Sequence, residues 1–264
     1  MKPARIAYMR IASWNVNSLK ARQPQLDRWL ADAQPDVLGL QEIKLADASF
    51  PVRALEEAGW QTAWAGQKTY NGVAFMSRLP LADVDRGGEL DDPEQRRVIA
   101  ATVGDVRIIN AYCVNGQAVG SDKYHFKLRW FERLERYVAQ QLQQWPNLVL
   151  MGDFNIAPAD IDVHDPELWY EQVLCSTPER AALKRLLDLG LHDSFRLKND
   201  QPKQYSWWDY RELAFRRNRG LRIDLLLVSA PLIPRLSAVG IDKQPRTWEK
   251  PSDHAPVWIA LDPA

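Results

Sequence analysis

Short apolar runs recur along the whole chain, at residues 11–14, 37–40, 72–76, 106–112, 148–151 and 224–228. Their length and β-branched content predict strands. Between some of them the apolar positions fall at helical spacing. Residues 25–33 predict one helix, and residues 126–144 a second, with Leu128, Phe131, Leu134 and Val138 on one face. Residues 178–189 predict a third, with Ala182, Leu186 and Leu189 aligned. Strands thus alternate with helices, but at intervals too irregular for a clean parallel repeat. The stretch 63–106 reads as consecutive strands and turns, which argues for mixed or antiparallel pairing. The expected architecture is α/β, with two packed sheets and helices outside. No fixed-period repeat, low-complexity tract or Pro/Gly/Ser linker divides the chain, so residues 9–264 are expected to form a single domain after a short extension at 1–8.

Composition narrows the chemistry. The 264 residues, 46% hydrophobic and 26% charged, suit one large core. Lys plus Arg, 34, balances Asp plus Glu, 34. Any grip on a polyanion must therefore be local. The two cysteines, Cys113 and Cys175, form no C-x-x-C pair, which disfavours a disulfide framework or structural zinc and suits reduced thiols in the cytoplasm. No apolar stretch has the length of a signal peptide core or a membrane span.

The polar residues at the strand ends carry the candidate chemistry. Asn15 and Asn17 follow the first strand, Gln41-Glu42 the second, and Tyr112 closes the run from 106. Gly152-Asp153-Phe154-Asn155 follows residue 151, Asp224 opens a late strand, and Ser252-Asp253-His254 precedes the last. This oxygen-rich set suits a hard cation, Mg²⁺ with Mn²⁺ as a substitute, better than zinc. Singly, each residue is more simply a turn residue, a helix cap or a hydrogen-bonded surface group. Their weight lies in their conjunction.

In that conjunction, Ile11-Ala12-Ser13-Trp14-Asn15-Val16-Asn17, Gln41-Glu42-Ile43-Lys44, Gly152-Asp153-Phe154-Asn155-Ile156-Ala157-Pro158, Leu221-Arg222-Ile223-Asp224 and Ser252-Asp253-His254-Ala255-Pro256-Val257 stand in the order of the exonuclease III family. The chain resembles that family, part of the endonuclease/exonuclease/phosphatase superfamily, from about residue 9 to 261. The resemblance implies a four-layer sandwich, two sheets flanked by helices, with the active site at one edge. It implies Glu42 as the principal metal carboxylate, with Asn15, Asp253, Asp153 and Asn155 at or beside the metal. Asp153 and Asn155 would orient water and phosphate, Asp224 and His254 form a buried pair, and Tyr112 touch the phosphate. The implied reaction is Mg²⁺-dependent hydrolysis of DNA at abasic sites or at damaged 3′ ends, by a cytoplasmic, nucleoid-associated monomer. Either Asp153 or a His254 held by Asp224 could serve as the base.

Relatives in the superfamily hydrolyse lipid or inositol phosphates, so the case for DNA rests on other residues. Residues 204–222 interleave aromatic rings with guanidinium groups, and Trp207, Trp208, Arg219 and Arg222 are the expected DNA contacts there. The simpler alternative is an aromatic core cluster with a solvated basic rim. Asn17, Lys20 and Arg22 match a basic loop near the nucleic acid. Lys123, Lys127, Arg129 and Arg133 are candidates on the long helix. The chain departs from the family in carrying Val114 for a proline after Tyr112 and Ser18 for a glycine after Asn17. His164 either borders the sugar pocket or caps a turn. A lipid or inositol phosphoesterase would want an apolar membrane-facing loop, which is missing here. A binding-only member would have lost at least one of Glu42, Asp153, Asn155, Asp224 and His254, and all five are present.

Overall fold

In the computed structural model, which describes residues 8–90, 92 and 94–264, the apolar runs become strands buried on both faces. Twelve strands lie among the described residues: β1 Met9–Asn15, β2 Val37–Gln41, β3 Gln61–Ala65, β4 Val73–Ser77, β5 Ala82–Asp85, β6 Val98–Val103, β7 Val106–Tyr112, β8 Leu148–Asp153, β9 Leu191–Asp193, β10 Asp224–Ser229, β11 Leu236–Ile241 and β12 Val257–Leu261. They form two six-stranded sheets, ordered β11-β12-β1-β2-β4-β3 and β5-β6-β7-β8-β10-β9. Each is mixed. The β1–β2 and β7–β8 pairs are parallel and the other pairs antiparallel. Residues 1–7, most of the expected N-terminal extension, lie outside the described residues.

Period-two alternation explains why the strands read as continuous apolar runs. In β8, Val149 and Met151 face the other sheet, where they meet Ile11, Phe75 and Ile259. Leu148 and Leu150 point the opposite way, toward Trp130, Leu134 and Leu183. Those three belong to α3 Asp122–Gln144 and α4 Thr177–Asp188, which cover the second sheet. The first sheet is covered by α1 Leu19–Ala33 and α2 Val52–Glu57, through Leu26, Trp29 and Leu55 against Trp14 and Leu40. A short α5, Ser194–Lys198, follows β9. Four layers result, as expected from the resemblance.

The helix at 25–33 begins six residues earlier than its apolar spacing suggests. Pro24, the sixth residue of α1, reads as a breaker, but the helix runs through it. Ser18, at φ 87°, takes a left-handed conformation that favours glycine, and its hydroxyl accepts from Ala21 N at the helix start. Val114, in place of proline, is buried in the apolar layer under α3.

The sheets are also joined by a polar bridge with no exposure to solvent. Gln41 Nε2 on β2 donates to Asn110 Oδ1 on β7 at 2.6 Å, and Asn110 Nδ2 donates to the carbonyls of Leu40 and Ala74, each at 3.0 Å. No helix among the described residues is long and apolar enough to cross a membrane.

Candidate active site

Strand register assembles the site. In the second sheet Tyr112, Asp153 and Asp224 are direct cross-strand partners, at the ends of β7, β8 and β10. Gly152 permits this row, because a side chain there, at φ 142°, would place Cβ 1.8 Å from the Ala111 carbonyl oxygen. In the first sheet Asn15 pairs with Gln41, and the next residue, Glu42, turns into the cleft at φ 52°. Asn17 (φ 44°) and Asn155 (φ 50°) are also left-handed, a conformation that concentrates at functional sites.

One ligand atom each from Glu42, Asp153 and His254 lies within 4.8 Å of the other two. Asn15, wholly buried, ties the carboxylates together: its Nδ2 donates to Glu42 Oε1 at 2.9 Å and to Asp153 Oδ2 at 3.0 Å. Its amide oxygen accepts from Asn17 N, so Asn15 orients the two carboxylates and does not offer them a rival oxygen. Lys44 Nζ stands 2.9 Å from Glu42 Oε2 and donates to Asn17 Oδ1 at 2.6 Å. Burial raises the Glu42 pKa, but Lys44, Asn15 and His254 outweigh it and hold the carboxylate below its ordinary value. Asp253 stands outside the three-residue cluster and accepts from Asn17 Nδ2 and Trp207 Nε1, each at 3.0 Å.

Behind this cluster the His254 ring is held by Asp224, whose carboxylate oxygens lie 3.0 and 3.1 Å from Nδ1, and its Nε2 is 3.7 Å from Asp153 Oδ2. Burial pulls the imidazole pKa down, yet the Asp224 and Asp153 charges prevail and raise it to about 10. Asp153 is pushed up to about 7 by burial and by Asp224, against His254. Two such groups in contact exchange protons as a pair. Burial, with the Glu42 and Asp153 charges, drives the Tyr112 pKa well up, so the phenol keeps its proton and donates. Asn155 donates its backbone N–H to Asp153 Oδ1 at 2.9 Å and accepts from Asn115 Nδ2 at 3.0 Å.

The expected DNA contacts divide. Trp207 is half-buried and bridges Leu221 and His254, at the site's edge. Trp208 is wholly buried against Tyr205, Ala214, Ala255 and Phe215, so it does not face DNA. Adjacent residues of an extended segment point opposite ways, and only one of the pair reaches the cleft. Arg222 is also buried, paired with Asp162 and Asp193, and cannot reach a phosphate. Lys127 is buried against Glu179. Lys20, Lys123, Arg129 and Arg219 are exposed, while the half-buried Arg22 donates to the Tyr210 hydroxyl at 3.0 Å. Two residues near the site were missed: Asn115, and Arg97, whose guanidinium lies 4.8 Å from the Tyr112 ring centre. Asn115 lies three residues beyond Tyr112 in the loop leaving the same strand, and that position was the available signal.

Comparison with known proteins agrees with this arrangement. The sequence model of the Endonuclease/Exonuclease/phosphatase family matches residues 12–254. Exodeoxyribonuclease III of Haemophilus influenzae is 39% identical over 263 residues, covering 95% of this chain and 98% of its own. The DNA repair nuclease APEX1 of Danio rerio is 32% identical, covering 98% and 84%. Among solved structures, the Neisseria 3′ phosphatase NExo bound to a product DNA hairpin superposes with a TM-score of 0.94 at 51% identity, covering 96% of this chain and 99% of its own. An AP endonuclease from Archaeoglobus fulgidus gives 0.91 at 35% identity, covering 97% and 100%. The matched region reaches from β1 to the histidine beside Asp224, and the chain belongs to the endonuclease/exonuclease/phosphatase family.

Proposed function

We propose that this chain is a Mg²⁺-dependent phosphodiesterase of DNA repair that cuts duplex DNA at abasic sites and removes blocking groups and nucleotides from 3′ ends. The observation that carries the reading is the grouping of Glu42, Asp153 and the Asp224–His254 pair, with Trp207 at the edge of the cluster donating to Asp253. Its relatives are named as an exodeoxyribonuclease and a DNA repair nuclease. The donor set fits a hard cation: the Glu42 carboxylate is held ionised and Asn15 ties it to the Asp153 carboxylate beside it. Glu42 would hold the Mg²⁺, which would supply charge neutralisation at the phosphoryl oxygens.

The chain's own residues do the rest. A His254 imidazolium, fixed by Asp224, faces the phosphate as a donor, the Tyr112 hydroxyl adds a neutral donor where negative charge gathers, and the Asn155 amide, which donates to Asp153 and to the Cys113 carbonyl, orients the Asp153 carboxylate. Asp153, oriented by Asn15 and Asn155 and 3.7 Å from His254 Nε2, takes the proton of the attacking water. We place the protein in the cytoplasm, working as a monomer on DNA.

The test is cleavage of a labelled duplex carrying one abasic-site analogue, beside a duplex with a recessed 3′-phosphate. Glu42→Ala or EDTA is expected to abolish cutting of both, while Mn²⁺ restores activity to the EDTA-treated wild type. No reaction of the wild type on either DNA would turn the assignment toward lipid or inositol phosphates.

His164 bears on which lesion is preferred. It sits beside the Val163–Leu221 bridge that continues to Trp207, with its ring against Trp169 and Nδ1 3.3 Å from the Gly220 carbonyl. Burial lowers its pKa, so at neutral pH the ring is an uncharged wall. His164→Gly is expected to raise abasic-site cutting relative to 3′-phosphate removal, measured on the same two duplexes. An unchanged ratio would mean that the ring only caps its turn.

A further inference from the structure

One buried ion pair has no part in the chemistry above. Lys127 on α3 and Glu179 on α4 are each wholly buried and bound to one another. The Lys127 ammonium also donates to the carbonyl oxygens of Asn155, at 2.6 Å, and Asn115, at 3.1 Å. Its three protons are therefore all engaged. Glu179 is as fully occupied: Oε1 accepts from Leu174 N at 3.0 Å, and Oε2 from Ser176 N at 3.1 Å and Ser176 Oγ at 2.6 Å. The Tyr124 hydroxyl closes the group at 2.7 Å from Ser176 Oγ.

A buried ion pair is a poor source of stability, because apolar side chains of similar volume commonly serve as well or better. Apolar side chains here would leave two loop carbonyls without the ammonium they share. Those carbonyls belong to the two asparagines whose amides meet in the cleft, where Asn115 Nδ2 donates to Asn155 Oδ1 at 3.0 Å. Asn155 is held at φ 50° between Asp153 and the Cys113 carbonyl.

We infer that Lys127, held by Glu179, is a positioning residue that fixes the backbones of Asn115 and Asn155, so that the Asn115 amide holds Asn155, and the Asn155 amide holds Asp153, in the orientation hydrolysis requires. This inference deepens the phosphodiesterase reading and rests on it. Small misplacements of reacting groups are costly to turnover, on the order of 10²-fold for about 1 Å.

The double variant Lys127→Met/Glu179→Gln removes both charges at once and leaves neither unpaired. In single-turnover and steady-state cleavage of the abasic duplex, kcat is expected to fall about 10²-fold. KM should change by less than about twofold, since the loss falls on the reacting geometry and not on duplex binding. A kcat equal to that of the wild type, or a loss confined to KM, overturns the proposal. Where the double variant does not fold, Glu179→Asp, which keeps both charges and withdraws the carboxylate by one methylene, carries the test, with the same split expected at about tenfold in kcat and the same outcomes decisive. Failure of the wild type to cut DNA would overturn the functional assignment, and a measurement without substrate then decides this one. In nitrogen–proton correlation spectra of the free protein, the side-chain amide signals of Asn115 and Asn155 are expected to move or broaden in the variant. Unmoved signals overturn the positioning role.

Discussion

Asp153→Asn is expected to lower the single-turnover rate of DNA cleavage by about 10²–10⁴-fold, the range for loss of an acid–base group, while duplex binding stays near that of the wild type. The carboxylate is a hub. Its Oδ2 accepts from Asn15 and Asn155, at 3.0 and 3.1 Å, with His254 Nε2 3.7 Å away, while Oδ1 accepts from the Asn155 backbone. An amide there can keep one oxygen toward the Asn15 side, but its nitrogen neither takes a proton from water nor accepts the Asn155 N–H. The variant therefore loses the base and loosens the residue beside the phosphate. A fall of less than about tenfold would shift the base to His254, since a true base costs more than that. Rate, not affinity, is the quantity to measure.

Asp162→Asn is expected to give the largest loss of stability away from the cleft. Asp162 is buried and accepts from Arg222 Nε at 2.7 Å and from Arg196 Nη2 at 2.5 Å. A guanidinium does not discharge in a protein, so the variant strands positive charge in the interior. Breaking one partner of a buried pair costs about 3–5 kcal/mol. The low end applies, because Arg222 keeps Asp193, whose Oδ2 is 2.6 Å from Nη2. About 3 kcal/mol corresponds to a melting temperature lowered by roughly 6–12 °C in a chain of this size. Thermal unfolding by circular dichroism measures it. A shift below about 2 °C would show that the arginines find other partners.

The catalytic row was legible because it is local. Asn15, Glu42, Tyr112, Asp153 and Asp224 lie at or just beyond strand ends whose apolar runs are plain, and the resemblance joined them. The buried arginine and lysine were not legible, because charge type does not say what a side chain meets. Arg222 and Asp162 are 60 residues apart in sequence, and Lys127 and Glu179 are 52 apart. Trp207 and Trp208 were a matter of parity: the sequence shows that one must face inward but not which. β9 is only three residues long, and half-buried β11 carries too little apolar contrast to announce itself. The start of α1 was not legible because its first turns, residues 19–25, carry little regular apolar spacing, whereas Leu26, Trp29 and Leu30 mark the later turns.

The Gln41–Asn110 bridge has a consequence for how this chain can be recombined with its relatives. Glu42 and Asn15 come from one sheet, and Tyr112, Asp153 and Asp224 from the other. Apolar faces pack in many neighbouring registers, whereas a buried amide accepts only the partner it was paired with. A chimaera that takes one sheet from a homologue therefore inherits half of a lock. Unless the residues at 41 and 110 travel together, the halves settle in a register of their own choosing, and the catalytic groups fail to face each other.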